Sequence, residues 1–231
     1  DRRTEIIHDE VEQINVEDMI KDEDMVVMIS RLGYIKRVSA DKYKKQGRGG
    51  TGSNSTTLIE DDYINQLFIG STKECLLFIT NIGRAYWMRI HEIPEAEKAS
   101  RGQNIKGLLQ VTADEEITTI VSLKEFSDDL YLFMITAKGI VKKVRSTEFQ
   151  NARTRGIIGI KLNDGDKLIS AIPTTGSSDV MLISRRGKAL RITENSVRSM
   201  GRASCGIKGM KLSEGDEIAA AVKVEDEANI I

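Results

Sequence analysis

Aromatic side chains are scarce in this chain, 5% of 231 residues, with Trp87 as the only tryptophan. That scarcity speaks against a single-stranded nucleic-acid binder, which needs stacking platforms as well as charge. Tyr34, Tyr43, Tyr86 and Trp87 offer a few, yet their strand positions suit core packing equally well. Cysteine is rarer still. Cys75 and Cys205 stand far apart in no metal-ligand spacing, which excludes a zinc site or a disulfide framework and suits buried thiols in a reducing cytoplasm. The two histidines, His8 and His91, have no Cys, Asp or Ser constellation around them, so a histidine-driven reaction finds no support. Long hydrophobic runs are missing as well. The longest, such as Leu130 to Ile135, are strand-sized, too short for a membrane helix, and no amino-terminal segment has the apolar centre of a signal peptide. Even net charge is lacking, at −1 with a pI near 6.3.

What is present is repetition. An apolar run leading to a glycine recurs as Met25 to Ile29 before Gly33, Cys75 to Ile79 before Gly83, Tyr131 to Ile135 before Gly139 and Val180 to Ile183 before Gly187, at spacings of 50, 56 and 48 residues. After each glycine comes a second short strand: Tyr34 to Val38, Arg84 to Met88, Ile140 to Val144 and Lys188 to Ile192. A glycine between two such strands reads as a tight hairpin. A later glycine follows at Gly49, Gly102, Gly156 and Gly206, and then an acidic turn (Asp61-Asp62, Glu115-Glu116, Asp164 to Asp166, Glu214 to Asp216) leads into another apolar run. Each unit therefore holds some four short strands and no long helix. Units of this size and period predict propeller-type blades, each stabilised by its neighbours.

The expected blades are 25–72, 73–128, 129–177 and 178–227, after an acidic lead-in over 1–24. Ala228 to Ile231 resembles the opening of a fifth unit, and the chain opens on Asp1 without a Met, so the expectation is a piece of something longer.

Charge follows the same period. The windows 31–48, 84–106, 138–161 and 185–211 hold 27 of the 34 Lys and Arg but 6 of the 35 Asp and Glu. Charges that served only solubility would not segregate in this way. Equivalent parts of successive blades occupy equivalent places, so a basic band around one surface is expected, with Lys36, Arg37, Lys44, Lys45, Arg48, Arg89, Arg101, Lys142, Lys143, Arg153, Arg155, Arg191 and Arg202 as candidate contacts. Such a band suits duplex DNA, whose phosphates release counterions to each Lys or Arg. Nothing resembles a recognition helix, so backbone contacts and a bend are expected, a bend costing roughly 1–6 kcal/mol. A protein-interaction scaffold is the competing class.

One loop stands apart, Gln46-Gly47-Arg48-Gly49-Gly50-Thr51-Gly52. It contains a formal Gly-x-Gly-x-x-Gly, but the charged run Asp41 to Lys45 precedes it and Ser53 to Thr57 follows it, where a dinucleotide turn needs a strand and a helix. A phosphate-binding loop fails too, because Ser53 stands where the Lys belongs.

Over essentially the whole chain, these residues resemble the carboxy-terminal domain of the DNA gyrase A subunit. Asp1 to Ile6 is similar to the junction with the breakage-reunion part, and Ile93-Pro94-Glu95-Ala96, Arg101-Gly102, Thr147-Glu148-Phe149 with Arg153-Thr154, and Ser196 to Gly201 match its blades in order. The resemblance implies an all-β, propeller-like β-pinwheel whose rim wraps DNA in a positive, right-handed sense, so that ATP-driven strand passage introduces negative supercoils. It aligns the glycine-rich loop with the gyrase A-box, Gln-Arg-Arg-Gly-Gly-Lys-Gly. Gln46, Arg48, Gly49, Gly50 and Gly52 match as DNA-binding positions, while Gly47 and Thr51 replace an Arg and the Lys. That departure keeps a second assignment open, the related domain of topoisomerase IV. The family further implies a bacterial, cytoplasmic, nucleoid-associated A2B2 holoenzyme, built with the rest of the gyrase A subunit together with the gyrase B subunit, its ATP and magnesium used in other parts. The isolated domain is expected to be monomeric, with no cofactor, no metal and no catalytic residue, so none of Tyr34, Tyr43, Tyr63, Tyr86 or Tyr131 is read as the catalytic tyrosine.

Overall fold

The computed structural model describes residues 19–43 and 62–224. Its Val, Ile, Leu, Met and Phe runs form strands because such side chains pack on pleated, buried surfaces. In the first unit β1 (Asp24–Ser30) and β2 (Tyr34–Ser39) make a hairpin, and β3 (Ile64–Ser71) pairs with the free side of β1. The same arrangement recurs as β4 (Cys75–Thr80), β5 (Arg84–Arg89) and, after the two-residue β6 (Gln103–Asn104), β7 (Ile117–Leu123). The third unit contributes β8 (Tyr131–Thr136), β9 (Ile140–Arg145), β10 (Ile157–Ile158) and β11 (Leu168–Thr174). The fourth contributes β12 (Asp179–Ser184), β13 (Ala189–Thr193), β14 (Ile207–Lys208) and β15 (Ile218–Val224).

Two local devices explain the repeated hairpin. A Ser or Thr three residues before the glycine closes the turn, its hydroxyl accepting the amides of Tyr34, Arg84, Ile140 and Lys188 at 3.1–3.2 Å. The glycines themselves, Gly33, Gly83, Gly139 and Gly187, sit at φ of +80 to +81°, where a Cβ is strained. The acidic turns expected between strands then cap the hairpin tips. Asp62 Oδ1 accepts from the Leu32 amide at 3.1 Å, Asp166 from Lys138 at 2.9 Å and Asp216 from Arg186 at 3.1 Å. The second unit reverses the pair, Asn81 accepting from the Glu116 amide at 3.0 Å.

The short strands do not join their own units. β6 pairs with β2, β10 with β5 and β14 with β9, so each of the first three sheets is completed by two residues donated from the following unit. This exchange makes the chain an all-β, propeller-like β-pinwheel. The fourth sheet, in the order β13, β12, β15, has three strands among the described residues.

The core lies between sheets, not within them. On β4, Leu76 and Phe78 pack with Met25, Val27 and Ile35 of the first sheet, while Leu77 and Ile79 pack with Leu132 and Met134 of the third. A strand sandwiched in this way buries both faces, which is why Cys75 to Thr80 reads as a continuous apolar run where alternation would mark a half-exposed strand. Each such buried side chain contributes about 1.5–3 kcal/mol. Phe133, Ile135 and Val141 join the third sheet to Val180 and Leu182 of the fourth. Among the described residues no helix is long and apolar enough to cross a membrane.

Candidate nucleic-acid interface

The second hairpin strands carry several of the cations expected at DNA, and the structure corrects that reading for three of them. Lys36 and Lys142 are 1% and 0% exposed, and Lys143 is buried as well. The Lys36 ammonium donates to the carbonyls of Lys98 at 2.5 Å and Ser100 at 2.7 Å. That of Lys142 donates to Gly159 and Ser204 at 2.9 Å each and to Arg202. Lys143 donates to the Glu194 carbonyl at 3.3 Å. The physical reason is the strand exchange: the next unit's loop closes over the outer face of the strand, where a strand with one solvated face would present its lysines. Burial, joined by the Arg202 charge, pushes the Lys142 ammonium down to about 8 despite the opposing fields of Cys205 and Glu148.

Neighbouring cations are tied in the same direction. Arg37 donates to the Ile93 carbonyl at 2.6 Å and pairs with Glu95 at 3.5 Å, and Trp87, at the same place in the second unit, donates to Gln150 at 3.0 Å. Arg89, half-buried, donates to the Lys73 carbonyl at 2.7 Å. In the fourth unit Arg191 bonds Asp179 of its own sheet at 2.5 Å and stays half exposed.

Charge does reach solvent in the loops between the short 3-10 turns (Ile90–Glu92, Ser146–Phe149, Glu194–Ser196) and the donated strands. Arg101, Arg153, Arg155 and Arg198 are exposed there, and Lys98 and Arg202 are half-buried. Their places repeat: Arg101 and Arg155 immediately precede the loop glycine, and Lys98 and Arg202 stand four residues before it. The few aromatics serve these cations. Arg101 lies over the Tyr34 ring at 4.2 Å, Lys98 over Tyr43 at 4.2 Å and Arg153 over Trp87 at 5.1 Å, geometries that hold a flexible cation in place while its charge still faces water. Arg153 adopts φ +35°, the left-handed region in which a side chain is strained. An open groove of about 730 Å³ runs between Arg84 and Arg202, floored by the donated Ile157 and Ile158 and edged by Glu148, whose carboxylate is 3.6 Å from Arg202.

Lys44, Lys45, Gln46, Arg48, Gly49, Gly50 and Gly52 lie outside the described residues, as does the expected fifth-unit start at Ala228 to Ile231. Sequence reading missed Lys98 and Arg198, and also Lys208, which is exposed on the donated strand β14. Counting from the second glycine of each unit, as opposed to the hairpin glycine, singles out Lys98, which stands four residues before Gly102 as Arg202 stands before Gly206; no such offset marks Arg198 or Lys208.

A sequence profile described as "DNA gyrase C-terminal domain, beta-propeller" matches residues 24–71, 76–124, 130–175 and 178–225. The DNA gyrase A subunit of Treponema pallidum is 53% identical over 204 residues, covering 88% of this chain and 25% of that one. The DNA gyrase A subunit of Escherichia coli K12 is 43% identical over 200 residues, covering 87% and 23%. This chain thus spans about a quarter of the length of those relatives. Among solved structures, a gyrase A C-terminal domain aligns with TM-score 0.66 at 36% identity, covering 88% of this chain and 66% of the other. The C-terminal domain of a DNA topoisomerase IV aligns with TM-score 0.77 at 28% identity, covering 90% and 63%. With four phased profile matches over four phased units, the chain belongs to the DNA gyrase C-terminal domain family.

Proposed function

We propose that this chain binds duplex DNA through the phosphates, without reading base sequence, and wraps it around its loop-bearing rim. The observation that supports this most directly is the recurrence of exposed or half-buried cations ahead of Gly102, Gly156 and Gly206, the first two sets anchored on rings of the blade before and the third by Lys142 at the Arg202 carbonyl. Guanidinium groups at repeated places meet a repeating phosphate chain, and their engagement releases condensed counterions. Contacts from several blades together offset a bend that one blade would not support. In that role the chain is an accessory part of a bacterial, cytoplasmic type II topoisomerase, an A2B2 gyrase in which ATP and magnesium serve other parts and the wrap gives strand passage its negative sign.

A second reading, the corresponding domain of topoisomerase IV, is favoured by the higher backbone similarity to that structure. Relaxing closed circular DNA in the presence of the chain separates the two. A gyrase-type wrap leaves a linking-number change that grows with the amount of chain bound. Binding with no such change supports the second reading, and retention of a protein partner with no DNA bound supports a scaffold.

A further inference from the structure

The side chain three residues after the hairpin glycine differs from blade to blade: Lys36, Tyr86, Lys142, Leu190. In the first and third blades it reaches the same two carbonyls of the following loop, those four and two residues before the loop glycine. These are Lys98 and Ser100 ahead of Gly102, and Arg202 and Ser204 ahead of Gly206. Lys142 adds Gly159, so three carbonyls meet the three N–H donors of one ammonium. In the second blade the equivalent carbonyls, Ala152 and Thr154 ahead of Gly156, accept from backbone amides, those of Gly156 at 2.8 Å and Gln110 at 2.9 Å. Tyr86 there turns its hydroxyl to Glu115 at 3.0 Å. In the fourth blade Leu190 is 39% exposed.

The same loop carbonyls are therefore held with and without an ammonium, although Ser204 also accepts the Lys161 amide at 3.1 Å. Backbone amides fix the loop without charge, whereas a buried ammonium is costly unless polar groups surround it. What the ammonium adds is a positive field beneath the loop. In the third blade this field lies beneath the Arg202 carbonyl, while the half-buried guanidinium of the same residue lies 3.6 Å from Glu148 and reaches the Ile158 carbonyl at 3.5 Å.

We propose that Lys36 and Lys142 are positioning residues for DNA: buried themselves, they fix and orient the loops that present Lys98 and Arg101 on the second blade and Arg198 and Arg202 on the fourth. This rests on the DNA-binding reading above.

The test is the salt dependence of duplex affinity for the 231-residue chain and its Lys36→Met and Lys142→Met variants, measured by anisotropy of a labelled duplex where circular dichroism shows each to be folded. Lys142→Gln, which retains two N–H donors on a shorter stem, is the milder variant should Lys142→Met fail to fold. Each phosphate contact contributes about 0.9 to the slope of log affinity against log salt. A positioning lysine takes its loop's contacts with it, so each variant is expected to lose about 1.8, the worth of two contacts. A loss of about 0.9 that Lys142→Arg restores means that the lysine itself touches phosphate, and overturns the proposal. An unchanged slope, even with lowered thermal stability, also overturns it and leaves a purely structural lysine. A parent chain whose duplex binding ignores salt overturns the DNA-binding reading as well, which distinguishes that failure from the other two.

Discussion

Gly156→Ala places one methyl group where the account leaves no room for it. The added Cβ would lie 2.3 Å from Tyr86 Cε1, 2.5 Å from Cζ and 2.7 Å from Cδ1, and Tyr86 is 0% exposed, with its hydroxyl bonded to the buried Glu115. Tyr86 cannot swing aside without breaking that bond or moving the sheets that enclose it, and overpacking of this kind costs about 1–3 kcal/mol. The backbone at φ +67° adds a left-handed penalty of about 1–2 kcal/mol for a residue with a Cβ. The expected loss of stability is therefore about 2–5 kcal/mol. Gly33→Ala isolates the second part, because its φ is +80° and no atom lies within 4 Å of the new Cβ. Urea unfolding of both variants, followed by circular dichroism, gives the difference. A Gly156→Ala loss no larger than that of Gly33→Ala would refute the docking of the donated loop on Tyr86.

Arg153→Gly removes a strained left-handed side chain, so its stability should stay within about 1 kcal/mol of the parent while the salt slope of duplex affinity falls by about 0.9. Tyr86 ionises late because burial, and then Glu115, push its hydroxyl up to about 12; in a spectrophotometric titration Tyr86→Phe should delete a late step, while the delay of Tyr43, also raised by burial, remains. Lys142 has its ammonium pushed below its unfolded value of 10.5, so the native state releases the proton first and unfolding stability should rise between about pH 8 and 10.5; urea midpoints across that window should rise in the parent and rise less in Lys142→Met, where Lys36, also lowered by burial, keeps part of the trend.

Much of the fold is legible in the sequence because each hairpin carries its own chemistry. The Ser or Thr, the glycine three residues on and the later capping Asp are local signals, and all act within a unit. Strand exchange is not local. Gln103–Asn104, Ile157–Ile158 and Ile207–Lys208 are too short for any periodicity to mark, and they become strands because an edge of the preceding sheet awaits them. The same non-local step hides the fate of the lysines. In Tyr34-Ile35-Lys36-Arg37-Val38 the two adjacent cations read as solvent-facing charge, yet a loop some 60 residues later covers Lys36. Charge segregation located the basic half of each unit correctly, but within that half only the loop contacts decide which cations hold the fold together and which face solvent.

The most direct test of the central claim is a salt titration of duplex affinity with the parent chain and with Arg101→Gln/Arg153→Gln/Arg155→Gln. If Lys98, Arg101, Arg153, Arg155, Arg198 and Arg202 each meet one phosphate, they contribute about −5.4 to the parent slope, and the triple variant's slope is shallower by about 2.7. A flat parent slope, or a triple variant that keeps the parent's slope, would contradict the assignment of these loops to DNA.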